Sequence, residues 1–214
     1  MGLPTLTAAS DHSLLVSFGR EVSVEIHRDV LRLSRLLQGR PELLNVHPGY
    51  SSVLISFDPR RLESAAVESI VREALVRMPS APVPAARTVE VPVRYGGPDG
   101  PDLEEVARLH AMTPGDVVRI HSTAQYLVYF LGFSPGFPYL GGLPQELATP
   151  RLGTPRRLVP AGSVGIGGDH TGVYPVASPG GWRIIGRTPL EIFRADRDPL
   201  TLLQMGDYVR FVAI

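Results

Sequence analysis

Hydrophobic positions along the first 80 residues change period in a regular order. SLLVSF (13 to 18) is a short apolar run of strand type. VEIHRDVLRLSRLLQGR then places Ile26, Val30, Leu33 and Leu37 on one helical face, and Gly39 and Pro41 stop it. LLNVH and SVLISF return to strand character on either side of Pro48, Gly49 and Tyr50, which marks a hairpin. RRLESAAVESIVREALVRM carries Val67, Ile70, Val71, Ala74 and Met78 at helical spacing and ends at Pro79. The succession β-α-β-β-α is most of a ferredoxin-like split βαβ unit, which predicts an α+β domain over 1–80.

PSAPVPAA (79–86) holds three prolines and no periodicity, so it reads as a stiff extended linker at a domain boundary. A second domain, 87–214, begins with the alternating strand TVEVPVRY, which either completes the first sheet or opens the second. Two short helices, DLEEVARLHAM and PGDVVRIHS, follow. Thr113 and Asp116 stand at capping-box spacing with Pro114 at the first helical position. QYLVYFLGF is again a strand. From 134 to 190 glycine and proline recur every few residues, strands such as TGVYPV and WRIIG are short, and no helical period survives. That texture predicts a closed or strongly bent β structure, ended by the strand YVRFVAI.

Composition narrows the chemistry. The chain has 214 residues, 43% of them apolar, which supports one or two packed cores. Its 21 basic and 21 acidic side chains cancel, which argues against electrostatic capture by nucleic acid or an anionic membrane. Cysteine is absent, excluding thiolate ligands, disulfides and a cysteine nucleophile, and a reducing cytoplasmic setting is the expectation. The start MGLPTLTAASDH shows neither a basic n-region nor an apolar h-region, and no apolar run has membrane-spanning length. Lysine is absent too, so every cationic side chain at neutral pH is arginine, and a P-loop lysine or Schiff base is ruled out for this chain.

FLGFSPGFPYLGGLP (130 to 144) contains G-x-S-x-G at Gly132, Ser134 and Gly136. A hydrolase elbow needs a backbone N–H after the serine and a following helix, whereas Pro135 has no N–H and Phe137-Pro138 opposes a helix. The segment is expected to be a rigid, turn-rich wall, with Phe133, Pro135, Phe137 and Tyr139 lining a pocket or docking face. GSVGIGG (162 to 168) suggests either a backbone-amide cradle for an anion or a glycine-rich β-turn, and without lysine the turn is preferred. The six histidines avoid metal-ligand spacing, so no metal is expected. His121 is either a polar core or helix-end residue or a catalyst. Arg151, Arg156, Arg157, Arg183 and Arg187 either clamp an anion or pair with Asp169, Glu146 and Glu191. Trp182, the lone tryptophan, is either an ordinary core residue or, following paired glycines, a pocket floor.

Three motifs in order, FLGFSPGFPYLGGLP, TPRLGTPRRLVPAGSVGIGGDHTGVYP and SPGGWRIIGRTP, supported by DHSLLVSFG and RIHSTAQYLVYFLGF, carry a resemblance over nearly the whole chain. The sequence resembles the family that includes the B-type component of 5-oxoprolinase, the kinase A inhibitor of sporulating bacteria, and allophanate hydrolase subunit 1 or the carboxyltransferase C and D region of urea-processing enzymes. The resemblance implies a ferredoxin-like N-terminal domain and a cyclophilin-like β-barrel. It implies a C-type sister subunit of related barrel fold, a third subunit of the A type, and ATP-dependent opening of 5-oxo-L-proline to L-glutamate at a shared site inactive in the isolated chain. Within such a site Arg151 and Arg156 would take carboxylate or phosphate, and the amides of Gly165, Gly167 and Gly168 an oxyanion. Thr171, Tyr174 and Ser178 would be neutral hydrogen-bond groups, Trp182 a wall, and His121, Arg156 and Tyr174 the candidates for catalysis. The same resemblance permits two other functions: a regulatory module that inhibits a sensor histidine kinase, and a subunit of a urea carboxylase or allophanate hydrolase system.

Overall fold

The computed structural model describes residues 3–82 and 85–214. The chain divides into two compact units, Met1–Ala85 and Ala86–Ile214.

In the first unit, β1 (Thr5–Ser10), β2 (Ser13–Ser17), α1 (Val24–Leu37), β3 (Asn45–Pro48), β4 (Ser52–Ser56) and α2 (Ser64–Arg77) follow in that order. The strands form one antiparallel sheet ordered β1-β2-β4-β3. Alternation on β2 and β4 turns Leu14, Val16, Val53 and Ile55 to one buried face, while Val30, Leu33 and Leu37 of α1 and Val67 and Val71 of α2 are equally buried. Each such side chain contributes about 1.5–3 kcal/mol by leaving water. Ser23 caps α1 by accepting a hydrogen bond from the Ile26 amide at 3.2 Å. Strand β1 was not expected from the sequence, because an edge strand that buries almost nothing leaves no apolar alternation to read.

The proline-rich segment is also less uniform than its composition suggests. Met78–Ser80 forms a 3-10 turn that prolongs α2 rather than an extended start to the linker. Residues 83 and 84 of the expected linker lie outside the described residues.

The second unit comprises β5 (Thr88–Tyr95), α3 (Leu103–Leu109), α4 (Pro114–Thr123), β6 (Tyr126–Leu131), β7 (Pro138–Gly141), β8 (Arg156–Val159), β9 (Ser163–Gly167), β10 (His170–Val173), β11 (Ser178–Gly180), β12 (Arg183–Arg187) and β13 (Tyr208–Ala213). Seven strands close a barrel in the order β10-β7-β6-β13-β5-β12-β9, and β8 pairs with β11 in a separate two-stranded ribbon. The open question about TVEVPVRY is settled by its pairing: β5 runs parallel to the terminal strand β13 and antiparallel to β12, inside the barrel. Val91, Val93, Val128, Leu140, Val164, Ile166 and Phe211 build its core. The Thr113–Asp116 capping box forms as its spacing predicts, with the Asp116 amide 3.1 Å from the Thr113 hydroxyl and the Asp116 carboxylate 3.2 Å from the Thr113 amide. No helix among the described residues is long and apolar enough to cross a membrane.

Candidate functional site

The span after β6 makes two consecutive turns. Phe133 has φ +65°, and the Ser134 amide donates to the Gly132 carbonyl at 2.8 Å across it, closing a γ-turn of the rarely populated positive-φ kind. The Phe137 amide then donates to the Ser134 carbonyl at 3.0 Å around Pro135 and Gly136 (φ +79°), the pattern of a type II turn. Proline supplies the first central angle, and glycine the positive φ that a side chain would oppose. The two phenylalanines differ in burial although their rings meet edge to face at 5.5 Å: Phe133 is 64% exposed, whereas Phe137 is buried.

Phe137 is the hub of an aromatic cluster. Its ring meets Trp182 edge to face at 5.3 Å, Tyr174 at 5.2 Å and Tyr139 at 5.2 Å. Trp182 can lie so close to the barrel because β9 and β10 present bare backbone to it. A Cβ on Gly167 would stand 2.5 Å from the indole Nε1, and one on Gly172 would stand 3.0 Å from the same ring system.

Above this floor opens a pocket of about 250 Å³ lined by Phe133, Tyr139, Arg151, Tyr174, Pro179 and Trp182 among others. The Arg151 guanidinium carbon lies 5.8 Å from the centre of the Trp182 ring, a cation–π placement. Among the described residues no carboxylate pairs with Arg151, so its fork is available to a ligand. Burial pushes the Tyr174 phenol up, against smaller opposing effects of a hydrogen bond with the Trp182 backbone and then of the Arg151 and Arg156 charges, and it stays a neutral hydrogen-bond group at neutral pH.

Arg156 and Arg183 are committed elsewhere. Arg156 donates to Asp102 Oδ1 at 2.6 Å, and Asp102 Oδ2 accepts from the Ile184 amide at 2.6 Å, so one buried carboxylate ties the ribbon to β12 just beyond Trp182. Arg156 Nη1 is buried and without a hydrogen-bond partner. Arg183 pairs with Glu105 at 2.6 Å. The acids proposed from sequence as arginine partners are occupied differently: Asp169 pairs with His170, and Glu191 with Arg194. Asp102 was missed in the sequence because it opens the stretch DLEEVARLHAM while its partners are distant in the chain; its side chain makes no capping bond. Asp102→Ala is expected to lower barrel stability by about 2 kcal/mol, since it leaves a buried amide and a guanidinium short of an acceptor; urea unfolding measures this.

Several expected site residues lie away from the pocket. His121 is wholly buried inside the barrel, stacked on Phe211 at 4.6 Å. It belongs to a directional chain. The Thr171 hydroxyl donates to the Gly165 carbonyl at 3.0 Å, so it accepts from His121 Nε2 at 3.0 Å, and His121 Nδ1 accepts from the Tyr95 hydroxyl at 2.8 Å. Burial pushes the imidazole down to about 3, so it stays neutral and structural. Thr171 is likewise interior. Gly165 and Gly167 form no cradle: they lie in β9, which pairs with β10 on one side and β12 on the other, while the expected glycine turn falls at Gly168 (φ +71°), whose amide donates to the Thr149 carbonyl. Their amides are used within the fold.

Ser178 sits in β11 with a buried hydroxyl that has no partner. Pro135 is exposed at the turn but does not line the pocket. Ser134 is followed by a strand, and its hydroxyl is buried without a hydrogen-bond partner, which removes the elbow geometry. Among the described residues no cluster of three His, Cys, Asp or Glu could hold a metal ion.

Comparisons with known proteins agree on kinship. Residues 4–203 match the carboxyltransferase domain, subdomain C and D. The B-type component of 5-oxoprolinase from Bacillus subtilis is 40% identical over 216 residues, covering 95% of this chain and 90% of that one. Its namesake in Escherichia coli O157:H7 is 46% identical over 192 residues, covering 89% and 87%. The crystal structure of TTHA0988 superposes with a TM-score of 0.83 at 37% identity over 94% of this chain, which spans 40% of that protein's length. With its matched span, its closed barrel and its relatives in accord, this chain belongs to the family of the carboxyltransferase domain, subdomain C and D.

Proposed function

We propose that this chain is one subunit of a cytoplasmic, ATP-dependent 5-oxoprolinase and contributes one wall of a substrate site completed by partner subunits. Two relatives named as the B-type component of that enzyme, each nearly coextensive with this chain, support the reading. The observation that carries it is Arg151 standing over Trp182 without an acidic partner among the described residues. A small five-membered lactam carrying a carboxylate matches this arrangement: its ring packs on the aromatic floor, its carboxylate takes the guanidinium fork, and Tyr174 donates to a carbonyl oxygen. The same pocket has no nucleophile paired with a base among the described residues, since Ser134 lacks a partner and His121 is sealed in the core. Hydrolysis therefore draws on a sister subunit of related barrel fold and on a third subunit. We also read the N-terminal unit as a ferredoxin-like variant, with β1 on the edge beside β2 that a last strand usually fills.

ATP belongs to this reading as co-substrate, and the glycine-rich span of this chain does not fit it. There is no lysine, and the β9 amides are held in the sheet. The nucleotide is assigned to a partner, and no step is derived through it.

The test is reconstitution with candidate sister and third subunits, followed by measurement of glutamate formed from 5-oxoproline with ATP. Arg151→Ala is expected to lower kcat/KM roughly tenfold or more, chiefly through KM, because a hydrogen bond to a charged group contributes about 1.5–3 kcal/mol. Assembly should persist on gel filtration. Turnover by the isolated chain, or unchanged kinetics in the variant, overturns the shared-pocket reading. Inhibition of a sensor histidine kinase without any turnover would support the regulatory alternative instead.

A further inference from the structure

A second pocket of the barrel unit, about 380 Å³, shares no lining residue with the aromatic one. It lies where β5 meets β12. Antiparallel pairing sets Arg94 directly opposite Arg187, and directly opposite residues project from the same face with Cβ atoms roughly 5 Å apart. Both arginines line this pocket. Like charges in that relation destabilise a ladder unless something compensates them.

The protein does not supply the compensation. Among the described residues neither guanidinium has a carboxylate within 4.0 Å; Arg187 uses only its Nε, on the Ala161 carbonyl at 2.9 Å. Two acids also line the pocket. Glu191 is engaged by Arg194 at 3.5 Å, and Asp99 forms no ion pair with a described residue. Thr188, 3% exposed and lining the same pocket, accepts from the Leu190 amide at 3.2 Å, which leaves its hydroxyl proton free to donate. Pro175 and Pro189 also line the pocket.

We propose that this pocket binds a small anion bearing a phosphate or carboxylate group, held between the guanidinium forks of Arg94 and Arg187. Planar forks side by side match the oxygens of such a group, and the resulting charge-assisted bonds would remove the repulsion between the two strands. The inference does not depend on the 5-oxoprolinase reading.

Isothermal titration of the full chain in low-salt, phosphate-free buffer tests it, with inorganic phosphate and L-glutamate as separate probes that distinguish the two sources of negative oxygen. At least one probe is expected to bind, and Arg94→Gln and Arg187→Gln each to weaken that binding about tenfold or more. A thermal melt keeps the test independent of folding defects. In anion-free buffer the two variants should melt at or above the wild type, and a saturating probe should raise only the wild-type Tm. Binding of neither probe, or wild-type affinity in both variants, overturns the assignment.

Discussion

Trp182→Ala is expected to lower barrel stability by about 3–5 kcal/mol and to abolish turnover of a reconstituted complex. The first figure is the usual cost of truncating a large buried aromatic. Trp182 is only 5% exposed and wedged against the bare backbone of Gly167 and Gly172, positions that cannot relax inward to refill the space with side chain. Its loss also withdraws the ring on which Phe137 rests and over which Arg151 lies. Floor and cationic arm would go together, so binding should fail even where the fold survives. Chemical denaturation followed by circular dichroism gives the stability, and glutamate formation at low temperature, where the variant remains folded, gives the function. Trp182→Phe should retain more of both. A variant that unfolds like the wild type and still turns over would show that the aromatic floor is not the substrate site.

Acid is expected to destabilise the barrel through His121. Burial holds its imidazole at about 3, against 6.5 in an unfolded chain. Between those values the unfolded state takes up a proton that the folded barrel refuses. The contribution is therefore complete above pH 6.5 and falls as pH drops toward 3, at about 1.4 kcal/mol per pH unit, on the order of 5 kcal/mol in all. Stability measured at pH 5 should be about 2 kcal/mol below that at pH 7. Trp182 is the sole tryptophan and lies in the barrel unit, so its fluorescence isolates this unit from His27 of α1. His27 is pushed down to about 4, by burial first and by Arg28 second, and titrates in the same direction. His121→Gln should flatten the slope while lowering stability at pH 7, because an amide cannot span the Tyr95 and Thr171 hydroxyls at the imidazole's geometry. An unchanged slope in that variant would place the acid sensitivity elsewhere.

How much of this was legible in the chain differs by element. Helices α1, α2 and α4 were readable because an amphipathic stripe and a cap are local patterns, and the Thr113–Asp116 box forms as its spacing implies. The turn at 132–137 was readable too, since Pro135 fixes its own φ and Gly136 tolerates the positive φ that the turn needs. Phe133, Phe137, Tyr139, Arg151, Tyr174 and Trp182 were named from the sequence and do converge on one pocket. Strand β1 was not readable, nor was the role of Asp102, whose partners lie 54 and 82 residues away.

Local stereochemistry thus determined, from sequence alone, which stretches are helical, where the chain must turn, and which aromatic and cationic groups were available for binding. Tertiary structure decided which of those groups share a space. Barrel closure brought β9 between β10 and β12, and this converted a glycine-rich stretch from a possible anion loop into a strand whose missing side chains accommodate Trp182. It also sealed His121 away from solvent and set Arg94 against Arg187. The reason is physical: a backbone amide or an imidazole carries the same chemistry in any sequence, but whether it is free, used or desolvated depends on neighbours that only long-range strand pairing brings within reach.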